Sequence, residues 1–274
     1  MEQDWEMGVS ISDTHIPFQD NKVLDEVLYF IKVHQPKYLV LNGDILDAWE
    51  ISKFDKTPRT GEPLRDELFE THDLLKLIRK IVPNTHIVFI EGNHEFRLKS
   101  HVIRQSPALY GLKGWHNGEE LSLLNLEDIL DLKYLGVEYI SGPEGQSKFG
   151  HTYWKIGELY IGHYDRVSKH SAYTAKALVE DLGVSLIQAH THRVGMTAKT
   201  LFDRQLIGVE QGCLCSLKPN YLVNPNWQHG FCVFWKKPDK PRFQVMPVVI
   251  PDYEFFFGGK SYDYEESINL YREL

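Results

Sequence analysis

Asp13 and His15 in "DTH", Asp44 in "GDILD", Asn93 and His94 in "GNHE", His163 in "IGH", and His190 and His192 in "AHTH" are scattered along the chain, yet each set follows an apolar run. Taken singly, every cluster has a plain structural explanation. An Asp after a strand often caps a helix, and a buried His is usually a satisfied core residue. Taken together they form a donor set of carboxylates, one amide and imidazoles with no thiolate, which suits Mn²⁺, Fe or Zn²⁺ better than a structural tetrahedral zinc site. The set exceeds the needs of one ion. Two ions about 3.5 to 4 Å apart, sharing a carboxylate and a hydroxide, would clamp the attacking and leaving oxygens of a displacement at phosphorus. Asp44, alone at its strand end, is the simplest shared carboxylate.

The elements around these residues must bring them together. "WEMGVSIS" alternates at a strand period and stops at the polar "DTHIPF"; "NKVLDEVLYFIKVHQ" has helical spacing from Val23 to Val33; "KYLVLNGD" is a short apolar run. A helix over about residues 62–82 leads to the strand "HIVFIEG". This alternation implies right-handed crossovers and a mostly parallel sheet, whose ligands gather at the carboxyl ends of the strands. From about 95 to 134 the pattern weakens into short helical and loop segments, read as an insertion over the site. "VEYIS", "TYWKIG", "ELYIGH" and "VSLIQAHTH" are strands, with a helix over about 169–182 before the last. "GMTAKTLF", "RQLIGVEQG", "GFCVFWKK" and "RFQVMPVVI" read as a run of antiparallel strands. The expectation is an α/β protein of two packed mixed β-sheets flanked by helices, an αββα four-layer sandwich. Its domain spans 1–250, and a tail over 251–274, with an aromatic cluster and a short acidic helix, packs on the domain or on a partner.

In order and spacing the motifs resemble those of the calcineurin-like metallophosphoesterases, D-x-H, G-D-x-x-D, G-N-H-D/E, H and G-H-x-H, over roughly residues 9 to 235. One position departs: Ala189 stands where that family usually has Gly, adding a methyl group. Carried over, the resemblance implies that Asp13, His15 and His192 hold one divalent ion and that Asn93, His163 and His190 hold the other. Asp44 bridges them. His94 is then not a ligand; it faces the scissile phosphate, and Asp47 orients its ring. The implied nucleophile is a metal-bridging hydroxide attacking in line. The chain has no G-x-S-x-G elbow and no glycine-rich phosphate loop that would argue for another mechanism. Manganese is the first expectation for the two cofactor ions, ahead of iron, zinc, nickel or cobalt.

A net charge of -8 argues against a wholly basic nucleic-acid-binding surface, although residues 96–113 carry Arg97, Lys99, Arg104 and Lys113 with no acidic residue. Arg97, three residues past His94, and Arg166 and Arg193, beside motif residues, are candidate contacts to substrate phosphate. Trp115, His116 and Tyr164 are candidates for base stacking, with core packing as the competing reading. A phosphodiester of a nucleotide or nucleic acid is the leading substrate. A phosphomonoester or pyrophosphate-linked small molecule is the alternative, and a non-catalytic scaffold of the same fold a remote one. The N-terminus lacks a basic stretch followed by an apolar one, and no apolar run approaches membrane-spanning length, which points to a cytoplasmic protein without a membrane partner. Cys213, Cys215 and Cys232 match no zinc spacing and read as small core residues in strands. No oligomeric state is implied.

Overall fold

The computed structural model describes residues 5–53, 63–116, 118–143, 152–219 and 223–267. The side chain of His116 and the tail beyond residue 267 lie outside them. The first half of the chain builds β1 (Glu6–Ile11), α1 (Asn21–His34), β2 (Tyr38–Asn42), α2 (Leu64–Ile81) and β3 (His86–Ile90). The segment read as an insertion holds α3 (Glu95–Gln105), a hairpin of β4 (Lys113–His116) and β5 (Glu119–Ser122), and the short α4 (Leu126–Ile129). It returns to the sheet as β6 (Val137–Ile140). Then come β7 (Tyr153–Ile156), β8 (Leu159–Gly162), α5 (Tyr173–Leu182), β9 (Ser185–Gln188), β10 (Val194–Leu201) and β11 (Arg204–Gln211). The chain closes with β12 (Gly230–Lys236), β13 (Phe243–Val249), the hairpin β14 (Glu254–Phe257) and β15 (Lys260–Asp263), and α6 (Tyr264–Ser267).

Two sheets carry the architecture, one ordered β13-β12-β1-β2-β3-β6 and the other β10-β11-β9-β8-β7. Strand alternation assigns side chains to layers. On β2, Leu39 and Leu41 join the helix-facing core with α1 and α2, while Val40 joins the layer between the sheets. On β3, Ile87 and Phe89 face the helices and Val88 and Ile90 face the other sheet. Both faces are buried, which is why these strands read as continuous apolar runs. A third cluster, Tyr164, Leu178, Val179, Leu186 and Leu206, packs α5 on the outer face of the second sheet. The result is the expected mixed α/β fold of helix, sheet, sheet, helix.

One expectation is corrected. The strands β10 to β13 do not form one antiparallel run. β10 pairs antiparallel with β11, but β11 pairs parallel with β9, and β12 lies antiparallel between β1 and β13 in the other sheet. Local alternation fixes which face of a strand is buried, not which neighbour it takes. After β13 the chain lays Phe255 and Tyr262 against Phe30 of α1, with ring centroids 5.6 and 5.2 Å away. Beneath this corner Glu26 is fully buried with no hydrogen bond to either carboxyl oxygen, and burial among Asp263, Asp20, Asp25 and Glu254 pushes its pKa up to about 8.

Candidate metal centre

The carboxyl ends of five strands meet on one edge of the sandwich. β1 leads to Asp13 and His15, β2 to Asp44 and β3 to Asn93 and His94, while β8 and β9 of the second sheet lead to His163 and to His190 and His192. Backbone bonds lace these turns together: Asp13 N donates to Gly43 O at 3.1 Å, His15 N to Asp44 O at 3.0 Å and Leu214 N to Asp13 O at 3.2 Å. Asp13, His15, Asp44, His190 and His192 all have positive φ, between 49° and 72°. A non-glycine residue pays of order 1–3 kcal/mol for such a conformation, and residues held this way cluster at functional sites. The abrupt left-handed turns aim the side chains inward. Gly43, also left-handed, leaves room for His163, whose ring would lie 2.6 Å from any Cβ there; a Cβ on Gly92 would sit 2.4 Å from Asp44 Oδ1.

Asp44 is central. Its Oδ2 lies 3.1 Å from His163 Nε2, 3.7 Å from His94 Nε2 and 3.9 Å from His15 Nε2. Its Oδ1 accepts from His94 N at 2.9 Å. Asp13 Oδ1 is 3.1 Å from His192 Nε2. Among the described residues three groups, Asp44 with His163 and His190, His15 with Asp44 and His94, and His15 with His192 and Cys215, present ligand atoms close enough to hold a metal ion. Two observations test whether the residues fit such ions. Asn93 Oδ1 is buried without a hydrogen-bond partner. His15 donates from Nδ1 to Asp47 Oδ2 at 3.1 Å, and its Nε2 faces His192 Nε2 at 3.1 Å, so a proton or a cation must lie between the two nitrogens. Both fit a cation held by oxygen and imidazole donors.

The buried carboxylates and imidazoles set one another's charge. Burial alone would raise the Asp44 pKa, yet His163, His94 and His15 hold it well below the ordinary carboxylate value. For His163 burial favours the neutral ring, but Asp44 and Asp13 lift its pKa to about 9. His190, buried beside His163, falls to about 4 and is a neutral lone-pair donor.

Asp47 ties the neighbouring parts together. Its carbonyl accepts from His94 Nδ1 at 2.8 Å and Arg97 Nη1 at 2.7 Å, and its Oδ1 accepts from Arg97 Nη1 at 3.1 Å. Arg97 Nη2 donates to His94 Nε2 at 2.9 Å. Arg97 is thus folded onto the His94–Asp47 pair. Arg166 forms an exposed ion pair with Asp181 on α5, and Arg193 donates to Ser168 O. Neither hydrogen-bonds to a residue of the cluster. Tyr164 lies in the core, whereas Trp115 on the β4–β5 hairpin is 75% exposed.

Trp227 and Cys215 carried no link to the site in the sequence, and Glu95 fills the acidic place of the GNHE motif without a task that the sequence assigns. Glu95 turns its buried carboxylate back to accept from Asp44 N and Gly92 N through Oε2, at 2.8 and 2.9 Å, and from Ile45 N and Leu46 N through Oε1, at 2.8 and 3.3 Å. It clamps the β2 turn to the β3 turn. Trp227 packs its ring 4.2 Å from that of His192. Cys215 is buried against the same imidazole, in an isolated bridge with Gln19 rather than in a strand.

This geometry is what the five motifs lead one to expect of a metallophosphoesterase. The family model for the calcineurin-like phosphoesterases matches residues 9–194, and the chain belongs to that family. Among curated proteins it is similar to the Gene 54 protein of Mycobacterium phage L5, 30% identical over 256 residues, covering 88% of this chain and 93% of that protein. The Gene 54 protein of Mycobacterium phage D29 is 28% identical over 255 residues, with the same coverage of 88% and 93%. Among solved structures, wild-type Vps29 complexed with Zn²⁺ from Entamoeba histolytica aligns with TM-score 0.43 and 13% identity, over 94% of this chain and 99% of that one.

Proposed function

We propose that this member of the family is a phosphoester hydrolase dependent on two divalent ions and acting on phosphodiesters of a nucleotide or nucleic acid. Asp13, His15 and His192 would hold one ion, Asn93, His163 and His190 the other, and Asp44 both. When bound, such ions supply Lewis acidity at the phosphoryl oxygens and a nucleophile at neutral pH. The observation that carries the reading is the meeting of His163, His94 and His15 on one buried carboxylate oxygen of Asp44, at 3.1, 3.7 and 3.9 Å.

The chain's own residues then divide the remaining work. His94, its Nδ1 proton committed to Asp47 O, turns Nε2 toward the cluster beside Arg97. The pair presents an imidazole and a guanidinium to a phosphoryl oxygen, the guanidinium as an electrostatic contact and the imidazole, once it has taken up a proton at Nε2, as proton donor to the leaving oxygen. Asp47 anchors both rather than touching substrate. Trp227 offers an aromatic plane at the His192 side of the site, and base stacking on such a plane favours a nucleotide-containing substrate.

The test is metal analysis of the purified protein together with hydrolysis of bis-p-nitrophenyl phosphate in Mn²⁺. Close to two ions per chain and turnover of the diester are expected; no metal and no turnover of any phosphoester would sink the reading. A panel of cyclic nucleotides, single- and double-stranded DNA, RNA, dinucleoside polyphosphates and mononucleotides separates the substrate classes. Activity on mononucleotides alone would replace the diesterase reading with a monoesterase one.

A further inference from the structure

Four imidazoles of the cluster turn Nδ1 away from its centre, and three of them meet oxygen there. His163 donates to Asn42 O at 2.8 Å, His15 to Asp47 Oδ2 at 3.1 Å and His94 to Asp47 O at 2.8 Å. His192 is different: its Nδ1 faces the sulfur of Cys215 at 3.7 Å. A ligand imidazole needs its outer nitrogen occupied, because the proton fixed there decides which nitrogen offers a lone pair inward.

We infer that Cys215 is the positioning residue of His192, its sulfur accepting a hydrogen bond from Nδ1–H and so fixing the tautomer whose Nε2 faces Asp13 and His15. The inference rests on the metal-binding reading of His192 given above. The cysteine is itself well held. Its carbonyl accepts from His229 Nε2 at 2.9 Å, and Leu214 N, one residue before it, donates to Asp13 O at 3.2 Å. Trp227 covers the imidazole 4.2 Å away, ring to ring, and Gln228 N donates to His192 O at 2.8 Å. The ring is therefore packed against a tilted Trp227 and met at its Nδ1 edge by sulfur.

Direct ligation by the thiol is the competing arrangement, since His15, His192 and Cys215 lie close enough to share an ion. The geometry argues against it. The sulfur sits at the Nδ1 edge of His192, while Asp13 Oδ1 lies 3.1 Å from Nε2 on the other edge. An ion shared with Asp13 is held through Nε2, the nitrogen that the sulfur does not face. Sulfur is a weaker acceptor than oxygen, so the Nδ1 contact of His192 is the weakest of the four.

The experiment titrates metal-free wild-type, Cys215→Ala and Cys215→Ser proteins with Mn²⁺ and follows the imidazole nitrogens of the metal-free wild type by long-range proton–nitrogen correlation. Wild type should show His192 protonated at Nδ1 and take up two ions. Cys215→Ala should lose affinity for one of the two about 10- to 100-fold, the size of a lost outer partner, and leave the other unchanged. Cys215→Ser, whose hydroxyl restores an acceptor, should recover part of the loss. A wild-type His192 with no proton on Nδ1 would overturn the inference without any variant having to fold. So would a Cys215→Ala protein that binds two ions as tightly as the wild type. A wild type that takes up no ion overturns instead the metal reading on which the inference rests.

Discussion

His94 and Asn93 are chain neighbours with different proposed tasks, and substitution should separate them. His94→Ala removes a substrate-facing imidazole and is expected to lower turnover about 10²-fold or more with metal content unchanged. Asn93→Ala removes the buried amide oxygen and should lower occupancy of one ion first; metal analysis beside steady-state kinetics distinguishes the two. Arg97→Lys tests the fork. A lysine cannot hold Asp47 O and Oδ1 while also reaching His94 Nε2, so kcat should fall about tenfold with little change in metal content. At this scale the sequence was most legible where residue type itself states the chemistry. The Asp and His residues of the motifs lie against one another, and Asn93 follows the adjoining strand end with its amide oxygen buried. Arg97 was legible as a cation three residues past His94, but its direction was not, because the carbonyl of Asp47 competes for the guanidinium. Cys215 and Trp227 had no readable link to His192, since contacts between distant segments leave no spacing to read.

Between the elements, a single carboxylate holds two turns. Glu95 accepts four backbone N–H groups from the β2 and β3 turns. Glu95→Ala should destabilise the protein by about 3 kcal/mol, read from the urea midpoint, because buried amides left unpaired cost more than a hydrogen bond gains. Glu95→Gln keeps one acceptor and should cost less. At the other side of α1, Glu26 sets a pH dependence. Its folded pKa of about 8 lies above the ordinary 4.5, so between these values the unfolded chain gives up a proton that the folded chain keeps, and stability falls as pH rises. Glu26→Gln should flatten that decline and gain about 1–3 kcal/mol at pH 8, with little effect at pH 4. Thermal unfolding at the two pH values checks it. The helices and strands of this region were legible from periodicity, whereas a buried, unpartnered glutamate reads in sequence as one more polar position on an amphipathic helix.

For the molecule as a whole, the layered fold was legible because strands buried on both faces declare themselves as apolar runs, while the partners of β11 and β12 were not, being chosen by tertiary packing. Among the described residues no helix is long and apolar enough to cross a membrane. The proposed ligands come from both sheets, so ions bound there tie the two halves of the sandwich. Removing them with a chelator should lower the unfolding temperature, and restoring Mn²⁺ at about 100 times its Kd should return roughly 2.7 kcal/mol per site. The same arrangement carries a consequence for how the protein is born. Asp13, His15, Asp44 and Asn93 leave the ribosome well before His163, His190 and His192, and before the β12 strand that completes the β1–β2–β3 sheet. If the ligands are as proposed, a nascent chain in that state lacks most of its ligand imidazoles, and metal loading is expected only after the turn that follows β9 has emerged.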